Sequence, residues 1–373
     1  MRKYLLENVL PFWLDNAIDD DFGGILTCLD REGKIYGYEK SVWFQGRALY
    51  IFSCAYNYVE KNERFIEAAK KIYDFLPLCG DETGRMYFTV TREGKEIQKR
   101  RYYFSETFAA IGCAEYYLAT GDEKAKEKAE MYFDIAYDIY SGKVKTEPKC
   151  NPDNAPYKAL SPAMIMLSTS QVLRKLNKEK YDKIAKETVK EIKEHWTDKG
   201  LLENVSLEGK FVDTPTGRIV NPGHSLEAAW FLMAEGIYQN DDELKKFGKS
   251  IIDISMKLGL YDGGIIAFCD CLGYPASALE WDMKLWWPQC EAIIANRLCY
   301  EIFKEEKYLD DYNKLREYAF EKFGDKEFGE WYGYLHYDNT VANTLKGNIF
   351  KGPFHLPRML MIIDKIENGE DLL

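Results

Sequence analysis

Two textures of hydrophobic residue alternate along the chain. The first is dense: WFQGRALYIFSCAYNY (43–58), YFSETFAAIGCAEYYLAT (103–120), SPAMIMLSTSQVLRKL (161–176), PGHSLEAAWFLMAEGIY (222–238), PQCEAIIANRLCYEIF (288–303) and PFHLPRMLMIIDKI (353–366) are mostly apolar and carry small residues. The second is a stripe: 64–76, 122–140, 179–196, 241–258 and 306–323 place apolar residues at i, i+3 and i+4, with Lys and Glu on the remaining face. A fully apolar helix belongs inside and a striped one belongs on a half-solvated outer layer. The segment 2–17 supplies a sixth outer member, so the pattern predicts twelve helices alternating outer and inner. Gly, Ala, Ser and Cys on the dense segments let neighbouring inner helices approach closely.

One residue near the start of each dense segment marks a repeat. Arg47, Glu106, Pro162, His224, Glu291 and His355 are separated by 56 to 67 residues. Six near-equal helical hairpins without a distinct polar capping repeat predict a closed (α/α)6 barrel, all-α, forming one domain over 1–373. Outer helices join inner ones through 23–38, 84–97, 201–212, 263–275 and 330–342, which alternate apolar and polar residues around a Gly-containing turn and predict β-hairpins. All of these lie above the inner-helix N-termini, so that end is the expected mouth of a pocket.

Charge and composition narrow the partners. A formal net charge of −11 leaves no basic surplus for neutralising phosphates and argues against nucleic acid. No apolar run reaches the roughly 18–20 residues that a membrane helix needs, and the basic start MRKYLLENVLPFW lacks the core and cleavage site of a signal peptide. Nine cysteines without a CxxC pair read as reduced thiols, and a cytoplasmic location is expected. No metal-ligand cluster, P-loop or GxGxxG motif is present, so no metal or cofactor is expected.

Candidate chemistry centres on histidine, of which the chain has four. His224 and His355 fall at equivalent repeat positions, whereas His195 in KEHW reads as a solvated residue and His336 in YLHYDN as a rim residue or a bystander. His224 shares a helix face with Glu227, whose carboxylate would hold the imidazole; His355 shares one with Arg358, whose guanidinium would bind anionic or hydroxyl oxygen. The two histidines lie two repeats apart, about 120° round a six-fold ring, and would flank a flat intermediate. Inverting a carbon next to a carbonyl needs a base on one face and an acid on the other, and imidazole serves as either near neutrality. Helix N-termini would stabilise the enediolate between the two steps. Trp43, Trp281, Trp286, Trp287 and Trp331 fall at the mouth end, and at least two are expected to line the pocket, where aromatic faces suit pyranose C–H surfaces. A glycoside hydrolase would instead need paired carboxylates, such as Glu106 and Glu291.

The stretches GGILTCLDREGKIY, KSVWFQGR, NPGHSLEAAWFL, LEWDMKLWWPQCEA, EFGEWYGYL and KGNIFKGPFHLPR resemble, in that order and over nearly the whole chain, the N-acylglucosamine 2-epimerase family, whose animal members are also called renin-binding proteins. The resemblance implies an (α/α)6 barrel, often a homodimer, interconverting N-acetylglucosamine and N-acetylmannosamine. The implied route is ring opening, deprotonation at C2 and reprotonation from the other face. It places the catalytic bases on His224 and His355, residues needed for activity on Arg47, Glu291 and Arg358, and a pocket residue on Glu227; Trp287 and Gln289 stand beside them as candidate substrate contacts. Animal-type members are modulated by ATP as an effector, and no motif here identifies a nucleotide site. Gln289 in WWPQCEA replaces the histidine of the animal type and is more usual in relatives acting on unsubstituted sugars, such as cellobiose 2-epimerases. Those relatives carry a further histidine on the third inner helix, where this chain reads SPAMIML. An epimerase or aldose–ketose isomerase for mannose, glucose or cellobiose is therefore the alternative reading.

Overall fold

The computed structural model describes residues 1–100, 103–147, 151, 153–154 and 156–372. Among them, twelve helical elements alternate between two concentric layers. The outer layer comprises α1 (2–16, with a π-helical turn at Leu5–Val9), α3 (Glu63–Phe75), α5 (Glu123–Tyr140), α7 (Lys178–Glu194), α9 (Asp242–Gly259) and α11 (Glu306–Lys322). The inner layer comprises α2 (Val42–Cys54), α4 (Phe104–Thr120), α6 (Leu160–Leu173), α8 (Pro222–Gln239), α10 (Trp286–Phe303) and α12 (His355–Asn368).

Local chemistry sets where the outer helices start. Asn62, Asp122, Asn177 and Asp241 each cap a helix by accepting a backbone N–H with the side chain, which satisfies a donor the first turn leaves unpaired. In α9 the stripe Leu244, Gly248, Ile251, Ile252 and Ser255 turns inward and the lysines stay outside. The inner helices pack laterally through their small residues. A Cβ on Gly46 would lie 2.4 Å from the carbonyl carbon of Phe108, so α2 and α4 touch backbone to backbone.

The last repeat closes onto the first. The Phe354 ring, just before α12, sits 6.0 Å from Tyr50 of α2 and 5.7 Å from Phe108 of α4. Trp13 of α1 is fully buried and donates its indole N–H to Glu330 at 2.8 Å. Arg31 forms a two-pronged pair with Asp325, with contacts of 2.8 and 3.1 Å. One hydrophobic cluster runs from Leu5 to Ile366 around the ring.

The mouth-side connections differ from five independent hairpins. Cys28–Leu29 pairs with Ile35–Gly37, Thr89–Val90 with Glu96–Gln98, and Tyr334–Leu335 with Val341–Asn343, as expected. Asn204–Ser206 pairs instead with Tyr157–Ala159 of the preceding repeat, and Cys269–Asp270 pairs with Ile219–Val220. Lys40–Ser41 with Thr89–Val90, Lys284–Leu285 with Tyr334–Leu335, and a bridge between Leu29 and Gly347 also tie one repeat to the next. Strands of two or three residues satisfy their edges on whichever neighbour lies alongside, here the adjoining repeat.

Candidate active site

The inner helices enclose a cavity of about 710 Å³. Its lining runs from their N-termini, at Trp43, Trp286 and His355, to their C-terminal ends, at Tyr58, Lys175 and Lys365. Three capping details aim His224 into the cavity. Asn221 Oδ1 accepts the His224 backbone N–H at 3.1 Å, Pro222 opens α8, and Gly223 makes room for Trp287, whose ring carbons would lie 2.6 Å from a Cβ there. His355 is the first residue of α12, and Trp286 and Trp287 are the first of α10.

Each histidine is held from behind by a carboxylate. His224 Nδ1 is 2.9 Å from Glu203 Oε1, and His355 Nδ1 is 2.8 Å from Glu291 Oε1. Since a carboxylate accepts, Nδ1 carries the proton in both rings and Nε2 remains without a protein partner among the described residues. Trp287 packs against both, its ring centroid 5.2 Å from that of His224 and 5.6 Å from that of His355. The imidazoles are thus no farther apart than those two spans laid end to end.

The surroundings drive the two rings in opposite directions. Burial pushes the His224 pKa down, but Glu203, by charge and hydrogen bond, and the charges of Glu227 and Glu291 lift it above its ordinary value. Burial and the Arg358 guanidinium hold His355 well below its ordinary value, with Arg47 and His224 adding to the effect against Glu227. The surroundings thus favour the charged ring at His224 and the neutral ring at His355.

Below the histidines lies a charged layer. Arg358 Nη2 donates to Glu227 Oε1 at 2.6 Å and to Glu291 Oε1 at 2.7 Å, and Glu291 Oε2 accepts the Trp230 indole N–H at 2.8 Å. Arg47 is different. Its guanidinium lies over Phe108 at 4.1 Å and Phe354 at 4.9 Å, and its Nε is buried with no hydrogen-bond partner among the described residues. Burial pushes its pKa down to about 9. Glu227, Glu291 and His355 bring donor atoms within 4.8 Å of one another, close enough for a metal ion, but Arg358 already occupies both carboxylates.

Arg47, His224, Glu227, Trp287, His355 and Arg358 all line the cavity. Glu291 is fully buried behind His355. Gln289 is elsewhere: fully buried, its Oε1 accepts from Ile265 N at 2.8 Å while its Nε2 donates to the carbonyls of Ile265 and Leu285. Glu227 holds Arg358 rather than His224, because one helical turn carries its carboxylate down into the charged layer. Arg358 is correspondingly committed to carboxylates. His195 is buried, not solvated, since α7 ends there and folds its ring under the next loop, Nδ1 lying 2.9 Å from Leu202 O. His336 is exposed in its turn. Trp43, Trp286 and Trp287 line the cavity, whereas Trp331 is buried against Phe320 and Phe323 and Trp281 packs beneath the mouth loops. Glu106 is buried holding Arg85 and the Met86 N–H, so it forms no carboxylate pair with Glu291 across the cavity.

Glu203 and Trp230 escaped the sequence reading. Glu203 lies 21 residues before His224, on a loop, where no helical spacing rule connects the two. A usable signal was the requirement that each imidazole have an acceptor behind it. Trp230 follows Glu227 by one turn on the same face.

Fold and pocket together define the class: an (α/α)6 barrel whose cavity presents two carboxylate-held histidines among tryptophans. The chain belongs to the N-acylglucosamine 2-epimerase family, which it matches over residues 23–352. It is 34% identical to mouse N-acylglucosamine 2-epimerase, across 97% of this chain and 90% of the relative. Similarity to the cellobiose 2-epimerase of Dictyoglomus turgidum is lower, 24% across 97% of each chain. The solved cellobiose 2-epimerase of Bacillus thermoamylovorans superposes with a TM-score of 0.85 over 98% of both chains at 20% identity, which shows the shared fold.

Proposed function

We propose that the protein is a carbohydrate epimerase that interconverts N-acetyl-D-glucosamine and N-acetyl-D-mannosamine. The observation that carries this reading is the pair of oppositely tuned histidines, each held by its own glutamate, lining one cavity in a chain 34% identical to an N-acylglucosamine 2-epimerase. In the open-chain sugar the C2–H bond lies next to the aldehyde and is acidic. His355 Nε2, a free base, takes the proton; the bond pair becomes the C1–C2 double bond and O1 becomes anionic. Arg47, with unpaired donors facing the cavity, balances that oxygen. His224 Nε2–H then protonates C2 from the opposite face. The other epimer uses the other placement of the same single proton.

Unsubstituted sugars rested as substrates on Gln289, and that side chain is spent on the backbone of Ile265. The N-acyl reading is correspondingly favoured. Eight described cysteines are free and seven of them buried, which supports a reducing, cytoplasmic setting. No helix among the described residues is long and apolar enough to cross a membrane.

Incubation with N-acetylmannosamine, mannose and cellobiose in D₂O, followed by NMR, tests the proposal. Deuterium at C2 of N-acetylglucosamine is expected; a ketose product, or turnover confined to the unsubstituted sugars, overturns it. His224→Ala and His355→Ala are each expected to lower kcat by roughly 10²–10⁴-fold. Because both directions use the singly protonated pair, their kcat/KM profiles against pH should share the same two limbs.

A further inference from the structure

His224 and His355 have matching acceptors behind them, but the two are unlike in origin. Glu291 projects from an inner helix and is shared among His355, Arg358 and Trp230. Glu203 stands on a mouth loop, and its carboxylate has a single partner among the described residues, His224. Among the described residues nothing else is placed to hold that ring. Glu227, on the same helix, is spent on Arg358, and Glu291 is spent on the other histidine and on Arg358. The groups facing His224 are thus Glu203 from the loop, Glu227 below it, Glu291 and Trp287 from α10, and His355 from α12.

The loop itself is fixed independently of the side chain. Glu203 N donates to Ile219 O at 2.9 Å and Glu203 O accepts from Leu160 N at 3.0 Å, so its backbone bridges the third and fourth repeats. A glutamine at this position keeps both contacts. Packing of the mouth therefore does not require a carboxylate; the imidazole does.

We propose that Glu203 is a positioning residue of the reaction, fixing His224 in the tautomer that turns Nε2 to the substrate and balancing the imidazolium that delivers the proton to C2. The inference rests on the two-histidine reading above. A carboxylate accepts from Nδ1–H in both the charged and the neutral ring, so the hydrogen bond survives turnover while the charge on the ring comes and goes. An amide in its place can present an N–H₂ to Nδ1 and select the wrong tautomer, and it cannot balance the imidazolium.

The test compares Glu203→Gln, Glu203→Asp and wild type, by kcat and KM in both directions across pH and by NMR titration of the His224 ring. For Glu203→Gln the expected result is a fall in kcat of about 10-fold or more with little change in KM. Its alkaline limb and the His224 titration should both move to lower pH by about one unit, and Glu203→Asp should recover part of each. An unmoved alkaline limb, or unchanged kcat, overturns the proposal. Should wild type place no deuterium at C2, the epimerase reading fails by itself; the His224 titration in Glu203→Gln still decides whether Glu203 sets that ring.

Discussion

Gln45 and Gln289 do one job in two repeats. Gln45 closes both backbone groups of Ile25 at 2.9 Å, and Gln289 closes both of Ile265 at 2.8 Å. Each side chain pins the GGI turn that follows an outer helix to the inner helix beside it. Gln289→Ala leaves buried backbone groups unpaired and should destabilise the protein by about 1–3 kcal/mol, with KM for the sugar unchanged; a calorimetric scan beside steady-state kinetics checks both halves. Gln289 is expected as a substrate contact from the family pattern, where it takes the place of a histidine two residues from both Trp287 and Glu291. Helix residues two apart point about 200° from one another, so Gln289 faces the wall while Trp287 and Glu291 face the site. Arg47, His224 and His355 were legible because they share a repeat position. Glu203 was not, because its contact with His224 is tertiary.

At the scale of elements, texture and spacing carried most of the architecture. The six dense and six striped segments became inner and outer helices, with boundaries shifted by a few residues. The cross-pairing of Asn204–Ser206 with Tyr157–Ala159 and of Ile219–Val220 with Cys269–Asp270 was not legible, since strands this short contain too few residues to display a period. Small residues at helix crossings make sharper predictions. Gly46→Ala drives a methyl into the Phe108 backbone, which cannot rotate away, and should cost about 1–3 kcal/mol. Gly223→Ala meets the edge of the Trp287 ring instead. It should shift the indole that packs against both imidazoles, lowering kcat far more than the melting temperature.

The whole molecule holds together as a ring with no free end. Trp13 with Glu330, Arg31 with Asp325 and Leu29 with Gly347 join the first repeat to the last. Removal of residues 1–16 uncovers α12 and should abolish the cooperative thermal transition rather than trim it, a difference circular dichroism can read. The closure also responds to acid. Burial pushes the Asp325 carboxyl up, but Arg31, backbone N–H groups and Lys346 more than offset this and hold it well below the usual carboxylate range. Its folded pKa is depressed, so its stabilisation is complete above about pH 4, the unfolded value, and fades as pH falls toward the folded one. The stability gap between wild type and Asp325→Asn should therefore be widest at neutral pH and close in strong acid.

One buried group gives the resting barrel a tension that substrate relieves. The Arg47 guanidinium sits among aromatic rings with Nε unpaired, so in the empty pocket it is a charge withdrawn from water without a carboxylate in contact. Arg47→Met should melt higher than wild type while losing turnover. A bound sugar oxygen that accepts the Arg47 donors should raise the melting temperature of wild type more than that of Arg47→Met at equal occupancy. In that sense the protein stores part of its affinity for the sugar as instability of the ligand-free state.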